Sequence, residues 1–105
     1  MLSRREKIEA MLADEPHDVF LRYSLALEWE KEGDHEKCVE QLSDLTRANP
    51  PYVPAFFMAA QNLAKRNQID QARAFLRDGI EEARRQGDSH AAGEMSEFLA
   101  SLGSA

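Results

Sequence analysis

The sequence predicts an all-α fold: an α-solenoid of antiparallel helix pairs with about six helices. Three observations lead there. Residues recur every 34 positions: Pro16 as Pro50, Ala26 as Ala60, Lys31 as Lys65, Gly33 as Asn67, and Cys38 as Ala72. Ile8, Leu42 and Leu76 form a three-step ladder at the same spacing. Apolar residues fall at helical intervals between proline, glycine and asparagine breaks, and no segment reads as a strand. A period of this length marks helix–turn–helix units, which bury their apolar faces only by stacking on neighbours.

The first helix is predicted from about Arg4 to Asp14, with Ser3 as N-cap and Glu6 completing a capping box. Ile8, Met11 and Leu12 form its apolar stripe, and Glu15-Pro16 ends it, because the residue before proline resists the helical conformation. Asp18 caps the second helix, about Val19 to Glu32, whose buried side is Leu21, Leu25, Ala26 and Trp29. Gly33 supplies its left-handed stop. Asp34 caps the third, about His35 to Ala48, with Cys38, Leu42 and Leu45 inward and Asn49-Pro50-Pro51 as the break.

Pro54 suits the first turn of the fourth helix, where a missing N–H costs nothing. Phe56, Ala59, Ala60 and Leu63 form its core stripe, and Asn67 takes the left-handed turn that Gly33 makes one period earlier. The fifth carries Ala72, Leu76 and Ile80, with Gly79 at a close contact, and runs toward Gln86 before Gly87 stops it. Asp88 or Ser89 caps the sixth, with Ala91, Met95, Phe98, Leu99 and Leu102 on one side. Gly103-Ser104-Ala105 reads as a short frayed tail.

A length of 105 residues suits one domain. Its 43% hydrophobic and 30% charged residues are a globular balance, not a disordered one. Nineteen acidic against thirteen basic side chains leave a net charge of −6, which argues against nucleic acid and anionic membrane as partners. The N-terminus lacks the apolar run of about 7–15 residues found in a secretory signal. No run nears the roughly 20 apolar residues that span a bilayer. A single cysteine permits no internal disulfide, so the expected location is the cytoplasm.

Chemistry-bearing motifs are sparse. Cys38 occupies a packing position, and His17, His35 and His90 lie in a turn or near helix starts. His90 and Glu94 share a helical face, but two ligands make no metal site. With no Gly-rich phosphate loop and no Cys-x-x-Cys, the expectation is no enzyme, no cofactor and no metal. Glu28, Glu30, Glu32, Asp34 and Glu36 crowd one turn, read as a solvated face with a basic partner as the alternative. Arg77, Glu81 and Arg85 are spaced for i, i+4 pairing.

The chain resembles the tetratricopeptide repeat (TPR) family. Ala26, Gly33, Cys38 and Pro50, with Trp29 at the large aromatic position, match that family's repeat, and Ala60, Asn67 and Ala72 match it again. The resemblance divides the chain into a half-repeat (3–17), two repeats (18–52 and 53–87) and a capping helix (88–102). Departures are Arg22 and His90 at opening aromatic positions, Arg84 for the closing proline, Glu94 at the small position and Glu97 at the later aromatic one. A terminal cap accounts for those in the last helix, and so does a one-residue slip in the final turn.

The resemblance implies a concave groove lined by the first helix of each repeat. Its positions fall on Phe20, Tyr23, Leu27, Glu30 and Lys31, then on Pro54, Phe57, Gln61, Ala64 and Lys65. Phe20, Tyr23 and Leu27 also form an i, i+3, i+7 line offset from the core stripe. Packing of these side chains on one another or on the cap helices is the competing reading. The carboxylate clamp of chaperone-tail binders is missing: its positions hold Tyr23, Leu27, Met58, Asp88 and Ala92. The expected function is a non-enzymatic scaffold or adaptor that binds a peptide or helix of unidentified sequence in the groove. The alternative is self-association, as in a homodimer, through the same stripe or through Met95 and Phe98.

Overall fold

The computed structural model describes residues 1–103; Ser104 and Ala105, from the expected frayed tail, lie outside the described residues. Six helices follow one another: α1 (Arg4–Asp14), α2 (Val19–Lys31), α3 (His35–Thr46), α4 (Val53–Lys65), α5 (Ile69–Arg85) and α6 (Ser89–Ser101). No strand occurs among the described residues.

Local chemistry sets the helix ends. Ser3 Oγ accepts from the Glu6 amide at 3.1 Å, and Glu6 Oε1 accepts from the Ser3 amide at 2.8 Å, completing the capping box. Asp18, Asp34 and Asp88 each accept a backbone N–H three residues on, at 2.9, 3.1 and 3.1 Å. Asp88, not Ser89, is therefore the cap of α6. Gly33 and Asn67 close α2 and α4 with φ of 85° and 62°. In both turns the following amide reaches back to the helix, Asp34 N to Trp29 O and Gln68 N to Leu63 O, each at 2.9 Å. Asparagine thus performs the turn that glycine performs one period earlier.

Two helices end earlier than their sequence suggests. α2 stops at Lys31 and α3 at Thr46. In α3 the Arg47 and Ala48 amides turn to the i−3 carbonyls of Asp44 and Leu45, tightening the last turn ahead of Asn49-Pro50.

Each helix packs against the next in the chain, and α4 also meets α6. One core cluster joins Ala26, Cys38, Leu42 and Leu45 to Ala55 and Ala59 of α4. The other joins Val53, Phe56, Ala60 and Leu63 of α4 to Leu76, Ile80, Ala92 and Met95. α1 is attached differently. Ile8 is buried, but Met11, expected in its stripe, is 48% exposed. Arg5 holds the helix instead, bonding Glu9 and Glu32 and lying 4.4 Å over the Trp29 ring, while Lys37 approaches the same ring at 4.3 Å.

The last helix departs from the period. The starts of α2 and α4 are 34 residues apart and those of α4 and α6 are 36 apart, because α5 has 17 residues against 12 in α3 while the turn after it has three against six. The slip is two residues rather than one. It carries Ala92 and Met95 inward and leaves His90, Glu94 and Glu97 exposed. Two α5 residues secure α6. Gly79 sits so close that a Cβ there would lie 2.6 Å from both Met95 Sδ and Phe56 Cβ. Buried Arg73 donates to the carbonyls of Leu102 (3.1 Å) and Gly103 (2.8 Å), satisfying acceptors that the helix end leaves open.

Gly79→Ala should lower stability by about 1–3 kcal/mol, since Phe56 Cβ cannot swing aside. Gly93→Ala, where a Cβ meets nothing within 4 Å, should raise it by about 0.5–1 kcal/mol through helix propensity. Urea titrations of the pair check the α5–α6 contact. Arg73→Ala should cost about 1.5–3 kcal/mol, as for hydrogen bonds from a charged donor, and speed amide exchange in the last turn of α6.

Candidate functional site

Helical spacing on α4 places Pro54, Phe57, Met58 and Gln61 along one face, at i, i+3, i+4 and i+7. With Val53 they form the floor of a cleft of about 280 Å³. Tyr23 of α2 closes one wall. Asp88, His90, Ala91, Glu94 and Met95, from α6 and its cap, close the other. The lining is mainly apolar, with Gln61, Asp88, His90 and Glu94 as its polar groups.

Its aromatic residues are braced. Tyr23 meets Tyr52 edge-on, with ring centroids 5.5 Å apart, and Phe57 meets Phe98 at 5.6 Å. Burial, reinforced by the neighbouring Tyr52 and Cys38, raises the Tyr23 phenol above its ordinary pKa. The groove aromatics are thus packed in part on their neighbours, as the competing reading of this stripe has it.

Of the ten positions expected in a binding groove, Tyr23, Pro54, Phe57 and Gln61 come together in the cleft. Phe20, Leu27, Glu30, Lys31, Ala64 and Lys65 do not line it. Phe20 stands 64% exposed, and Lys31 Nζ lies 3.2 Å from Glu28 Oε2, an oxygen that Arg4 also reaches. Sequence reasoning missed His90, Ala91 and Glu94 as lining residues, because a strict 34-residue projection puts α6 two residues out of place. The apolar stripe of α5 continuing to Ala83, with its stop at Gly87, was the available signal. Met95 is buried and Phe98, half-buried, leans on Phe57.

The acidic turn is largely occupied from within. Glu28 pairs with Arg4 and Lys31, and Glu32 with Arg5. Glu30 lies 2.8 Å from His35 Nδ1 and 3.5 Å from Arg66 Nη1, while Asp34 caps α3. Glu28, Glu30, Glu32 and Asp34 thus hold partners within the chain, while Glu36 stands exposed. Arg85 pairs with Glu81 at 3.2 Å and with the buried Glu82, to which Gln86 also donates. His90 Nε2 and Glu94 Oε1 are 3.5 Å apart at the cleft rim. Among the described residues no three His, Cys, Asp or Glu side chains converge as metal ligands.

Cys38 is fully buried and accepts a hydrogen bond from Asn62 Nδ2 at 3.3 Å. Burial, with the Glu30 carboxylate adding to it, pushes its thiol up to about 11. A thiol protonated at neutral pH in this surrounding is a packing group, not a nucleophile.

The chain is similar in fold to the solution structure of protein BPP2914 from Bordetella parapertussis. The TM-score is 0.79, at 24% identity over 97% of this chain and 89% of that one. At that identity the likeness concerns the fold. No protein-family model and no curated protein sequence matches the chain. No helix among the described residues is long and apolar enough to cross a membrane.

The Cys38 environment carries a pH signature. A raised folded-state pKa favours the protonated thiol, so its stabilising contribution is complete below about pH 9 and is lost as pH climbs to about 11. Stability should therefore fall by about 2–3 kcal/mol more across that window in the native chain than in Cys38→Ala. Parallel denaturant titrations of the two proteins read the difference directly.

Proposed function

We propose that this chain is a TPR-type scaffold whose stacked helix pairs present the α2–α4–α6 cleft to a segment of another protein. The observation that carries the reading is the cleft. It draws its lining from alternate helices, the arrangement in which a stack of helix pairs offers one continuous face. The 34-residue recurrence of Ala26, Gly33, Cys38 and Pro50 with Ala60, Asn67, Ala72 and Arg84 supports it, Arg84 being the one departure. An apolar floor with a few convergent polar groups suits a peptide or helix anchored by its own side chains. Nothing in this reading calls for a reaction, a cofactor or a metal. The single cysteine, which permits no internal disulfide, supports a reducing cytoplasm as its location.

A second reading, self-association, draws on a different surface. The exposed large hydrophobics Met1, Leu2, Met11 and Phe20 all lie in the first twenty residues. A second copy seated there would cover α1 and the start of α2 and leave the cleft open.

Photo-crosslinking in the source cell distinguishes these. A benzophenone amino acid replacing Gln61 should give adducts with another protein. The same group at exposed Gln71, on α5 away from the cleft, should give none. Equal adducts at both positions would sink the cleft reading. Adducts of twice the chain's mass from the same group placed at Met11, lost on Phe20→Ser, would establish the second.

A further inference from the structure

We propose that the occupant of the α2–α4–α6 cleft is a basic segment: a large apolar side chain on the floor, flanked by Lys or Arg that meets Asp88 and Glu94. The inference rests on the cleft being a binding site and adds the chemistry of its partner. The floor of Val53, Phe57 and Met58 offers apolar contact only, so it selects an apolar anchor. A volume of about 280 Å³ lies at or below the small end of ligand pockets, which span about 300–1,000 Å³ and suit a few side chains rather than a folded ligand.

The rim sets the sign. None of the lining residues is Lys or Arg, and two are carboxylates. Asp88 uses Oδ1 to cap α6, leaving its other oxygen to accept from a partner. Glu94 faces only His90, at 3.5 Å, with half its side chain exposed. The N-terminus of α6 opposes a cation, but its dipole amounts to roughly half a positive charge against two full negative ones. The balance at the rim remains negative. Within the acidic turn, Glu28, Glu30 and Glu32 already hold internal cations. A net charge of −6 extends the same preference over distance and speeds encounter with a cationic chain.

Panning a random-peptide library on the full chain tests this, with selected peptides then synthesised and their affinities read by fluorescence anisotropy. The expected winners carry Lys or Arg beside an aromatic or large aliphatic residue, and they weaken as salt is raised. Asp88→Asn with Glu94→Gln keeps the α6 cap, since Asn caps as well as Asp, and should weaken them by about three- to tenfold. Gln61→Trp, which fills the cleft, should abolish binding. Peptides lost on Gln61→Trp but indifferent to the double variant and to salt would overturn the basic-partner inference and leave the cleft standing. Acidic winners would do the same. Binders insensitive to Gln61→Trp, or no binder at all, would overturn the cleft itself. Self-association abolished by Gln61→Trp would replace the basic segment with a second copy of the chain.

Discussion

The rest of the structure depends on α4 being buried on two sides at once. Ala55 and Ala59 close one core cluster, and Ala60, Phe56 and Leu63 close the other, with all three alanines fully buried. Small side chains let neighbouring backbones approach closely, and close approach is what brings Leu42 and Leu45 on one side and Leu76 and Ile80 on the other into contact with a single helix. A buried aliphatic side chain contributes about 1.5–3 kcal/mol, so two full clusters outweigh the surface ion pairs, each about 0–1 kcal/mol. The ends of the chain attach to this centre with fewer apolar contacts and rely on specific polar devices.

Those devices differ at the two ends. α1 buries Ile8 and is otherwise held by Arg5, which joins Glu9, Glu32 and the face of Trp29. The Trp29 indole N–H is buried without a hydrogen-bond partner, while Arg5 and Lys37 both lie over the face of its ring. α6 is held more firmly, by the tight crossing at Gly79 and by Arg73 on its terminal carbonyls. Arg73 and Glu82 are charged residues in buried positions on α5, each retained because partners surround it.

The same two-residue displacement of α6 shapes the candidate site. It carries Ala92 and Met95 into the core while turning Glu94 and His90 toward the cleft, so a helix that looked like a degenerate repeat becomes the cleft's polar wall. Substitutions that read as departures from the TPR pattern are then the residues that give the cleft its charge. Regularity built the floor, and the irregularity built the rim.

Much of the fold was legible along the chain, because caps, left-handed stops and prolines act on the few residues beside them. Ser3, Asp18, Asp34, Gly33, Asn67 and Pro54 each mark a boundary through a local hydrogen bond or torsion that needs no tertiary partner. The floor residues Phe57 and Gln61 and the wall residue Tyr23 were legible through the repeat resemblance, and helical spacing by itself reached only Tyr23 of the three. What only the tertiary structure decided concerns groups distant in sequence. Arg73 meets a carbonyl 30 residues on, Asn62 meets a thiol 24 residues back, and the acidic turn is neutralised by Arg4, Arg5 and Arg66. Long flexible side chains reach partners that no local pattern encodes. The register of α6 is set by how far α5 runs past Gly79 before the chain turns back and brings Met95 against it.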